Sequence, residues 1–411
     1  MIMKNIPAEL IYYLNIKLSL LFYFIKQKRI FIPFLIIVLY VSFYFLIDLS
    51  SQSLVAHDEG LYARRSRLVE ESFNWFSPPF DTPHHKTLGS YWLIALSIRL
   101  FGNSELSLRL PSILFSFLCL IISYFISLKI LNKKSALISL FSLSSMPLWI
   151  QYSRYASPDL PFVFCILMVI LFFLKFIDSP QNINKCFYVF ISGVFISIAF
   201  FVRSYMTFVP LIGLTPFLTF HLLKTRNIYK IIFANGIIIG TIPTILNLYY
   251  SYNSNGIKGI TSLFDFAKQQ AIGSFDYQNI FLIPINFLYF TFPIGILLVM
   301  LLSFTRSNSN IKYPLLTYYY PFLCLLILLC MSTSYPHYYI FLLPSLSILF
   351  AFNLESYSFR SLGSKKNIKY LFSFLIIIIS LILLSSLFYY QKSLFDFTFV
   401  KNLILYIVSF L

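Results

Sequence analysis

The sequence predicts an all-α protein that crosses a membrane about eleven or twelve times. Of its 411 residues, 59% are hydrophobic and only 11% are charged, and the mean hydropathy is +0.81. Apolar runs of about 18 residues or more recur along the chain, and each can cross a hydrocarbon core of about 30 Å as a helix. A transmembrane β-barrel would instead show short segments of alternating hydrophobicity. An ordinary soluble domain is therefore excluded.

Eleven segments have the length and composition of membrane-spanning helices. They are 30–47, 106–128, 135–151, 160–177, 187–202, 204–222, 228–250, 280–304, 314–331, 337–354 and 370–390. The tail 394–411 is a candidate twelfth span. Residues 1–29 are predicted to be a cytoplasmic segment with an interfacial helix at 8–25. Residues 30–411 are then predicted to form one transmembrane domain, with no separate soluble domain.

Basic residues in six loops fall on one side of the membrane, which the positive-inside rule makes the cytoplasmic side. The exceptions are Lys258, Lys268 and the arginines of the first outer loop, residues 48–105. That loop is different in kind, because it contains seven of the fourteen acids of the chain. We therefore expect the ionisable chemistry on the outer face. The six loops contain Lys26, Lys28, Arg29, Lys129, Lys133, Lys134, Lys175, Lys185, Lys224, Arg226, Lys230, Arg306, Lys312, Arg360, Lys365, Lys366 and Lys369.

The first outer loop is predicted to be structured. Helical spacing from Leu61 to Phe76 gathers apolar residues on one side and charged residues on the other. This pattern predicts a helix lying in the membrane interface. A second short helix is predicted over about Ser90–Phe101. The loop then forms a cap whose charges lie close to the lipid headgroups.

Three outer acids are candidates for catalysis. Asp58 is either the N-cap of the helix that follows or a fixed general base, and the two roles are compatible. Glu59 adjoins it. Asp159 either caps the next span, with Pro161 in the first turn, or forms a second outer carboxylate close to Asp58.

Three cations and several histidines complete the candidate site. Lys86, Arg64 and Arg203 either extend towards lipid headgroups or bind a phosphate. His84 and His85 could hold a metal ion together with His57 or an acid, but adjacent histidines point apart on regular backbone, so a site built on that pair is not favoured. His337, within "SYPHYY", belongs either to an aromatic belt or to an acceptor or metal site.

Five stretches occur in an order that resembles the GT-C membrane glycosyltransferases. They are "DEGLYARR", "NWFSP", "HHKTLGSYWLIAL", "LFGNSELSLRLPS" and "RYASPDLPFVF", and the later "PHYYIFLLPSLSILF" is similar to the "HY…LP" span of that family. The resemblance covers about residues 30–180 and is strongest to the aminoarabinose transferases and the dolichyl-phosphate-mannose protein mannosyltransferase-like enzymes. It implies a GT-C fold with interfacial helices in the first outer loop.

The resemblance also implies an activity. Enzymes of this family transfer a sugar, with inversion, from a polyprenyl-phosphate donor to an acceptor hydroxyl on a glycolipid, a protein or a surface glycan. The active site would lie on the non-cytoplasmic face of the inner or plasma membrane. The sugar, the acceptor and the need for a divalent cation stay open, and no nucleic acid is expected as a partner.

The same resemblance assigns roles to single residues. Asp58 matches the first-loop acid and would be the base, or would orient the acceptor, and Glu59 matches its neighbour. Lys86 matches the lysine before the "YW" pair and would hold the donor phosphate. Asp159 matches the acid of the second outer loop.

The sequence departs from the family pattern at two places. Leu61 stands where the aminoarabinose transferases have an arginine within "DExRYA". Arg64, Arg65 or Arg203 would then have to supply that phosphate contact. Thr87 and Leu88 stand where many relatives have two prolines.

Two other function classes compete with this interpretation. A transporter or flippase could use proline-broken spans around a central site, but no acid falls well inside an apolar run and the sequence shows no inverted repeat. A lipid-linked glycan polymerase or ligase would be expected to carry a large late outer loop. Here the charged loop is the first one, which favours the glycosyltransferase.

Overall fold

The structure is a computed structural model that describes residues 53–55, 58–80, 86–272, 287–288, 290–304, 312–331 and 335–361. Within these residues the secondary structure is helical, and the predicted all-α fold class is confirmed. The α-helices are α1 Asp58–Ser72, α2 Gly89–Phe101, α3 Glu105–Ile130, α4 Lys133–Ser144, α5 Pro147–Ser153, α6 Asp159–Asp178, α7 Asn182–Arg203, α8 Phe208–Leu223, α9 Asn227–Gly240, α10 Ile242–Asn255, α11 Lys258–Ile272, α12 Ile294–Phe304, α13 Tyr320–Leu329 and α14 Leu343–Ser361.

Three short segments adjoin these helices. A 3₁₀ turn, Ser204–Thr207, separates α7 from α8, a π-helical turn precedes α13 at Leu315–Tyr319, and a 3₁₀ turn precedes α14 at Pro336–Leu342. The chain divides into two compact units, Met1–Asn353 and Leu354–Leu411, and in the second unit the described residues are the last turns of α14.

Most of the predicted spans that fall within the described residues are found. Five apolar helical stretches have the length and composition to cross a membrane, and the 42-residue stretch covers two predicted spans, 187–202 and 204–222. The predicted span 314–331 is a shorter apolar helix, Leu315–Leu329. The five stretches are Glu105–Ile130, Asp159–Asp178, Asn182–Leu223, Asn227–Asn255 and Pro336–Ser356.

Other predicted segments lie wholly or partly outside the described residues. The spans 30–47, 370–390 and 394–411 and the interfacial helix 8–25 lie wholly outside them. Of the predicted span 280–304, the described part contains α12. The domain division at residue 29 stays a prediction.

The predicted span 135–151 is wrong as a single helix. It consists of α4 and α5, which are separated at Met146, whose backbone is extended. Pro147 occupies the first position of α5. A proline lacks the N–H that would continue the preceding helix and disfavours helical backbone at the residue before it.

Two predicted helix starts also need correction. The first-loop helix begins at Asp58 rather than Leu61, and it ends at Ser72 because Phe73 has a φ of 53°, which a right-handed helix does not allow. Asp159 is the first residue of α6 and not its N-cap, which is Pro158. The second first-loop helix, Gly89–Phe101, agrees with the prediction to one residue.

Helix α6 packs against both α3 and α7, and an ion pair at each of its ends shows in which direction each neighbour runs. Lys129 near the end of α3 pairs with Asp178, the last residue of α6, at 2.6 Å, so α3 and α6 run parallel. Arg203, the last residue of α7, pairs with Asp159, so α7 is antiparallel to α6. Twenty residues of helix extend about 30 Å, the thickness of a hydrocarbon core. We call the two ends of this bundle the Asp159 end and the Asp178 end.

The Asp178 end gathers residues from three of the loops that the charge pattern placed together. Asp178 accepts hydrogen bonds from Lys129 and from Lys312, at 2.6 and 3.1 Å, and from the hydroxyl of Tyr313 at 2.8 Å. These residues lie far apart in the chain. Their meeting agrees with the alternation of loops between two sides.

Small residues allow the helices to pack closely. Serine hydroxyls join α3 to α4 and α4 to α14, with Ser127 donating to Ser139 at 3.2 Å and Ser139 bonded to Ser347 at 3.0 Å. At the α7–α9 crossing, a Cβ atom on Gly236 would overlap the carbonyl oxygen of Phe190. Such small and hydroxylated interfaces are typical of helices packed in a membrane.

The first outer loop is held on the Asp159 end. Helices α1 and α2 share an apolar core that includes Tyr62, Val69 and Tyr91, and this core extends to Phe201 near the end of α7. Trp92 of α2 contacts the Phe201 ring edge-on, with 5.0 Å between ring centres. The loop is thus packed against the helix that ends in Arg203.

Candidate functional site

A cleft with about 310 Å³ of empty space lies at the Asp159 end. It is formed by α1, the segment before α2, the turn between α5 and α6, the end of α7 and the 3₁₀ turn before α14. Five of the residues predicted to form the site line it, namely Glu59, Lys86, Asp159, Arg203 and His337. The lining residues are Glu59, Tyr62, Lys86, Tyr152, Tyr155, Ala156, Ser157, Asp159, Arg203 and His337.

Asp159 and Arg203 form a buried ion pair in the cleft. The guanidinium Nη2 lies 2.9 Å from Oδ1 of the carboxylate, and the side chains are 11% and 4% exposed for Arg203 and Asp159. Each charge also suits its helix, because an acid is favoured at the start of α6 and a base at the end of α7. Because Asp159 holds one side of the guanidinium, the remaining N–H groups of Arg203 have a fixed orientation.

Lys86 is held beside this pair by the junction of α2 and α7. The hydroxyl of the next residue, Thr87, donates to the carbonyl oxygen of Phe200 at 3.2 Å. Gly89 lets the two helix ends approach, since a Cβ atom there would lie 2.7 Å from the carbonyl oxygen of Phe201. The ammonium group of Lys86 lies 4.8 Å from the ring centre of Tyr62, a favourable cation–π geometry. Two cations therefore line the same small cleft.

Glu59 lines the cleft but is fully engaged in a buried network. Its Oε1 accepts from Nε of Arg109 at 3.0 Å and from the amide of Ala156 at 2.8 Å. Its Oε2 accepts from Nη2 of Arg109 at 2.9 Å and from the amide of Val55 at 2.9 Å. A carboxylate has about four acceptor positions, and all four are occupied.

Aromatic side chains form another wall of the cleft. The hydroxyl of Tyr152 lies 3.4 Å from Nδ1 of His337. The imidazole is stacked on the ring of Tyr335, with 5.6 Å between centres, and contacts Tyr338 edge-on at 4.6 Å. This arrangement fits the aromatic-belt interpretation of "SYPHYY" and also places His337 where a ligand of the cleft would meet it.

Two arginines of α1 point away from this arrangement. Arg64 is exposed and is not among the lining residues. Arg65 is buried, donates from Nη1 to the hydroxyl of Tyr91 at 3.2 Å, and lies 5.1 Å from the ring centre of Phe80. Burial raises the pKa of Tyr91, so its hydroxyl stays protonated at neutral pH. Arg203 is therefore the arginine that accompanies Lys86 in the cleft.

Comparison with known proteins agrees with these observations. The family model "Dolichyl-phosphate-mannose-protein mannosyltransferase" matches residues 85–250, which contain Lys86, Asp159 and Arg203. An uncharacterised protein of Aquifex aeolicus is 22% identical over 88% of this chain and 71% of its own length. The undecaprenyl phosphate-alpha-4-amino-4-deoxy-L-arabinose arabinosyl transferase of Shewanella sediminis is 24% identical over 44% of this chain and 34% of its own length.

A solved structure decides the fold. The crystal structure of ArnT from Cupriavidus metallidurans bound to undecaprenyl phosphate matches with a TM-score of 0.67 and 17% sequence identity, over 78% of this chain and 60% of that one. The fold is that of the GT-C glycosyltransferases. The predicted resemblance is thereby confirmed, and the named relatives belong to the predicted enzyme class.

The GT-C likeness covers only part of the named relatives. The chain spans about a third of the length of the Shewanella transferase and 60% of ArnT.

The other predicted residues of the GT-C site lie outside the cleft or outside the described side chains. His57, His84 and His85 fall outside the described residues. Asp58 is described by its backbone, which begins α1 immediately before Glu59. Within the described ranges, no group of three or more metal-ligating side chains comes together.

Sequence reasoning missed several residues of this cleft. Tyr152 and Tyr155 lie just before the "RYASPDLPFVF" stretch or within it, so their proximity to Asp159 could have been noticed. Arg109 lies inside the quoted "LFGNSELSLRLPS", but nothing local pairs it with Glu59, fifty residues away. Tyr62 belongs to the helical stretch from Leu61 to Phe76, and one face of its ring also contacts Lys86.

Proposed function

We propose that this protein is a membrane glycosyltransferase that moves a sugar from a polyprenyl-phosphate donor to an acceptor hydroxyl, with inversion. The observation that carries the proposal is the presence of Lys86, Arg203 and Asp159 in one cleft at the end of an apolar helix bundle. Such a position suits a donor with an apolar tail and an anionic head.

The cations of the cleft would bind the donor phosphate. Lys86 and Arg203 line the cleft, and Arg109 lies behind Glu59. As the bond from sugar to phosphate breaks, the leaving phosphate gains negative charge, and preorganised cations lower that barrier. ArnT, which shares the fold, was crystallised with undecaprenyl phosphate, and this supports a lipid-phosphate donor.

Asp58 would activate the acceptor. It stands directly before Glu59, whose side chain is fixed at the cleft by four hydrogen bonds. A carboxylate that accepts the acceptor proton on one face of the sugar, while the phosphate leaves on the other, gives a single displacement and inversion. Asp159 then acts by holding Arg203 in place for the phosphate.

The charges at the two ends of the bundle support an active site on the outer face of the membrane. Lys129 and Lys312 meet at the Asp178 end, which the positive-inside rule assigns to the cytoplasm. The cleft at the Asp159 end would then open on the outer face of the plasma membrane. A glycolipid, a protein or a surface glycan would supply the acceptor hydroxyl there.

Sugar transfer by the purified protein tests the proposal. The wild-type chain in lipid nanodiscs is incubated with a panel of undecaprenyl-phosphate sugars as donors. Outer-leaflet glycolipids and surface glycans serve as acceptors, and the products are identified by mass spectrometry. We expect transfer from at least one donor, and its loss in Lys86→Ala and Arg203→Ala. The control is Lys268→Ala, which removes an exposed lysine of α11. Donor-dependent transport without a new glycosidic bond would contradict the proposal and favour a flippase.

A further inference from the structure

The buried pair of Glu59 and Arg109 joins the two loops that carry the candidate acids. The Glu59 carboxylate is bonded to the amide of Val55, before α1, and to the amide of Ala156, before α6. Arg109 of α3 completes the carboxylate shell and also donates from Nη2 to the carbonyl oxygen of Ser53 at 3.1 Å. One ion pair thus connects three separate segments of the chain.

These segments lead directly to the residues of the cleft. Asp58 lies between Val55 and Glu59 in the chain, and Asp159 follows Ala156 by three residues. A second contact from α3 supports the same loop, since the hydroxyl of Ser112 donates to the carbonyl oxygen of Ser157 at 3.3 Å. The position of each candidate acid relative to the other is therefore set through α3.

The chemistry of Glu59 excludes it as a proton acceptor in this arrangement. Its side chain is 1% exposed and that of Arg109 is 3% exposed. All four acceptor positions of the carboxylate are filled, two of them by a bidentate guanidinium. A proton could reach it only if the ion pair opened.

We propose that Glu59 and Arg109 are positioning residues, an ion-pair clasp that sets the separation of Asp58 from the Asp159–Arg203 pair. The expected effect on catalysis rests on the proposed glycosyl transfer. The connection between the loops rests on the hydrogen bonds alone. A buried ion pair contributes little net stability compared with a well-packed apolar pair, but its bonds have defined directions. The clasp therefore fixes loop geometry that apolar packing would leave less well defined.

Two measurements on the full-length protein test the clasp. The variants are Glu59→Gln, which keeps the shape but loses the charge, and Arg109→Lys, which keeps the charge but loses the fork. The matched control is Asp178→Asn, which removes an ion-paired carboxylate at the opposite end of the bundle. The first measurement is amide hydrogen exchange in peptides that cover Val55 and Ala156, and it needs no substrate.

We expect exchange in at least one of the two peptides to rise at least about tenfold in Glu59→Gln and less in Arg109→Lys. A glutamine keeps one acceptor oxygen, and its NH2 group cannot accept from the second amide. Asp178→Asn leaves both peptides unchanged. Unchanged exchange at both peptides in Glu59→Gln would overturn the clasp, whether or not the protein transfers sugar.

The second measurement separates positioning from structural support. With Lys86 and Arg203 intact, we expect KM for the donor to stay within about threefold in Glu59→Gln. We expect kcat to fall about 10²-fold, as displacement of reacting groups by about 1 Å commonly does. Arg109→Lys should retain more of the wild-type kcat than Glu59→Gln does. Faster exchange with unchanged kcat would overturn the positioning role. Absence of transfer in the wild-type chain would refute the proposed function, and the clasp would then be tested by the exchange measurement alone.

Discussion

Arg203 lies 2.9 Å from Asp159, so the last residue of α7 and the first residue of α6 form an ion pair at the mouth of one cleft. The pair connects two antiparallel membrane helices at the end where the first outer loop packs. It also presents a guanidinium next to Lys86 in the cleft lining. An arginine that is fixed in this way is suited to bind a phosphate without first losing conformational freedom.

Removing Arg203 should affect stability and donor binding separately. Arg203→Met removes the guanidinium partner of the buried Asp159 carboxylate, and the loss of one member of a buried pair costs about 3–5 kcal/mol. The double variant Arg203→Met/Asp159→Asn should recover most of the thermal stability, because both charges of the pair are removed. Donor binding should stay weak in both proteins. Recovery of donor binding in the double variant would show that Arg203 has only a structural role.

Removing the charge of Lys86 should weaken the donor complex. Lys86→Ala deletes one charge-assisted contact to the phosphate, and we expect a loss of about 10–100-fold in affinity for undecaprenyl phosphate. Lys86→Arg should retain part of the affinity. Titration of the purified protein in nanodiscs measures the change. Equal affinities in Lys86→Ala and in the wild type would refute the phosphate contact.

The candidate base is tested by an isosteric change. Asp58→Asn removes the proton acceptor and should lower kcat about 10²–10⁴-fold with little change in KM for the donor. The measurement is steady-state transfer with saturating acceptor. Glu71→Gln, an exposed acid on the same helix, is the control and should retain the wild-type kcat. A normal kcat in Asp58→Asn would assign the proton to another group.

The junction of α2 and α7 should not tolerate a larger residue. In Gly89→Ala the new methyl group would lie 2.7 Å from the carbonyl oxygen of Phe201 and must move the helix ends apart. We expect a loss of about 1–3 kcal/mol in stability, as for overpacked cores, and weaker donor binding because Lys86 shifts. The neighbouring Ser90→Ala removes an atom and should show neither effect. A Gly89→Ala protein with the wild-type melting temperature would contradict the close approach.

The Asp178 end should contribute modestly to stability and not to transfer. Asp178→Asn removes the ion pairs with Lys129 and Lys312, which are partly exposed, so the loss should be at most about 1 kcal/mol. Thermal unfolding in detergent measures this change, and the transfer assay should give the wild-type kcat. A large loss of kcat would indicate that the two ends of α6 are coupled.

The fold was largely predictable because membrane helices are long and apolar. The limits of α2, α3 and α6 agree with the prediction to within two residues. The break between α4 and α5 was missed although Pro147 marks it, since hydropathy averages over the interruption. The structure of α1 confirms a helix in the first outer loop, but its start at Asp58 depends on backbone hydrogen bonds that periodicity does not report.

The site was predictable where short motifs carry it and not where distant residues meet. Each of Lys86, Asp159 and Arg203 is predicted from its own local sequence, and the structure brings the three residues to one cleft. The side chain of Glu59, which was expected to be catalytic, is bonded to Arg109 on another helix, and no sequence pattern shows that pairing. Arg64 and Arg65 could not be distinguished from Arg203 without knowing which face of α1 is turned towards the core.

The most direct test of the central claim is equilibrium binding of undecaprenyl phosphate to the purified protein in nanodiscs. The claim is that Lys86 and Arg203 bind a lipid phosphate in one cleft. It predicts saturable binding to the wild-type chain, a loss of about tenfold or more in each of Lys86→Ala and Arg203→Ala, and no loss in Lys268→Ala. Equal binding by all four proteins would contradict it.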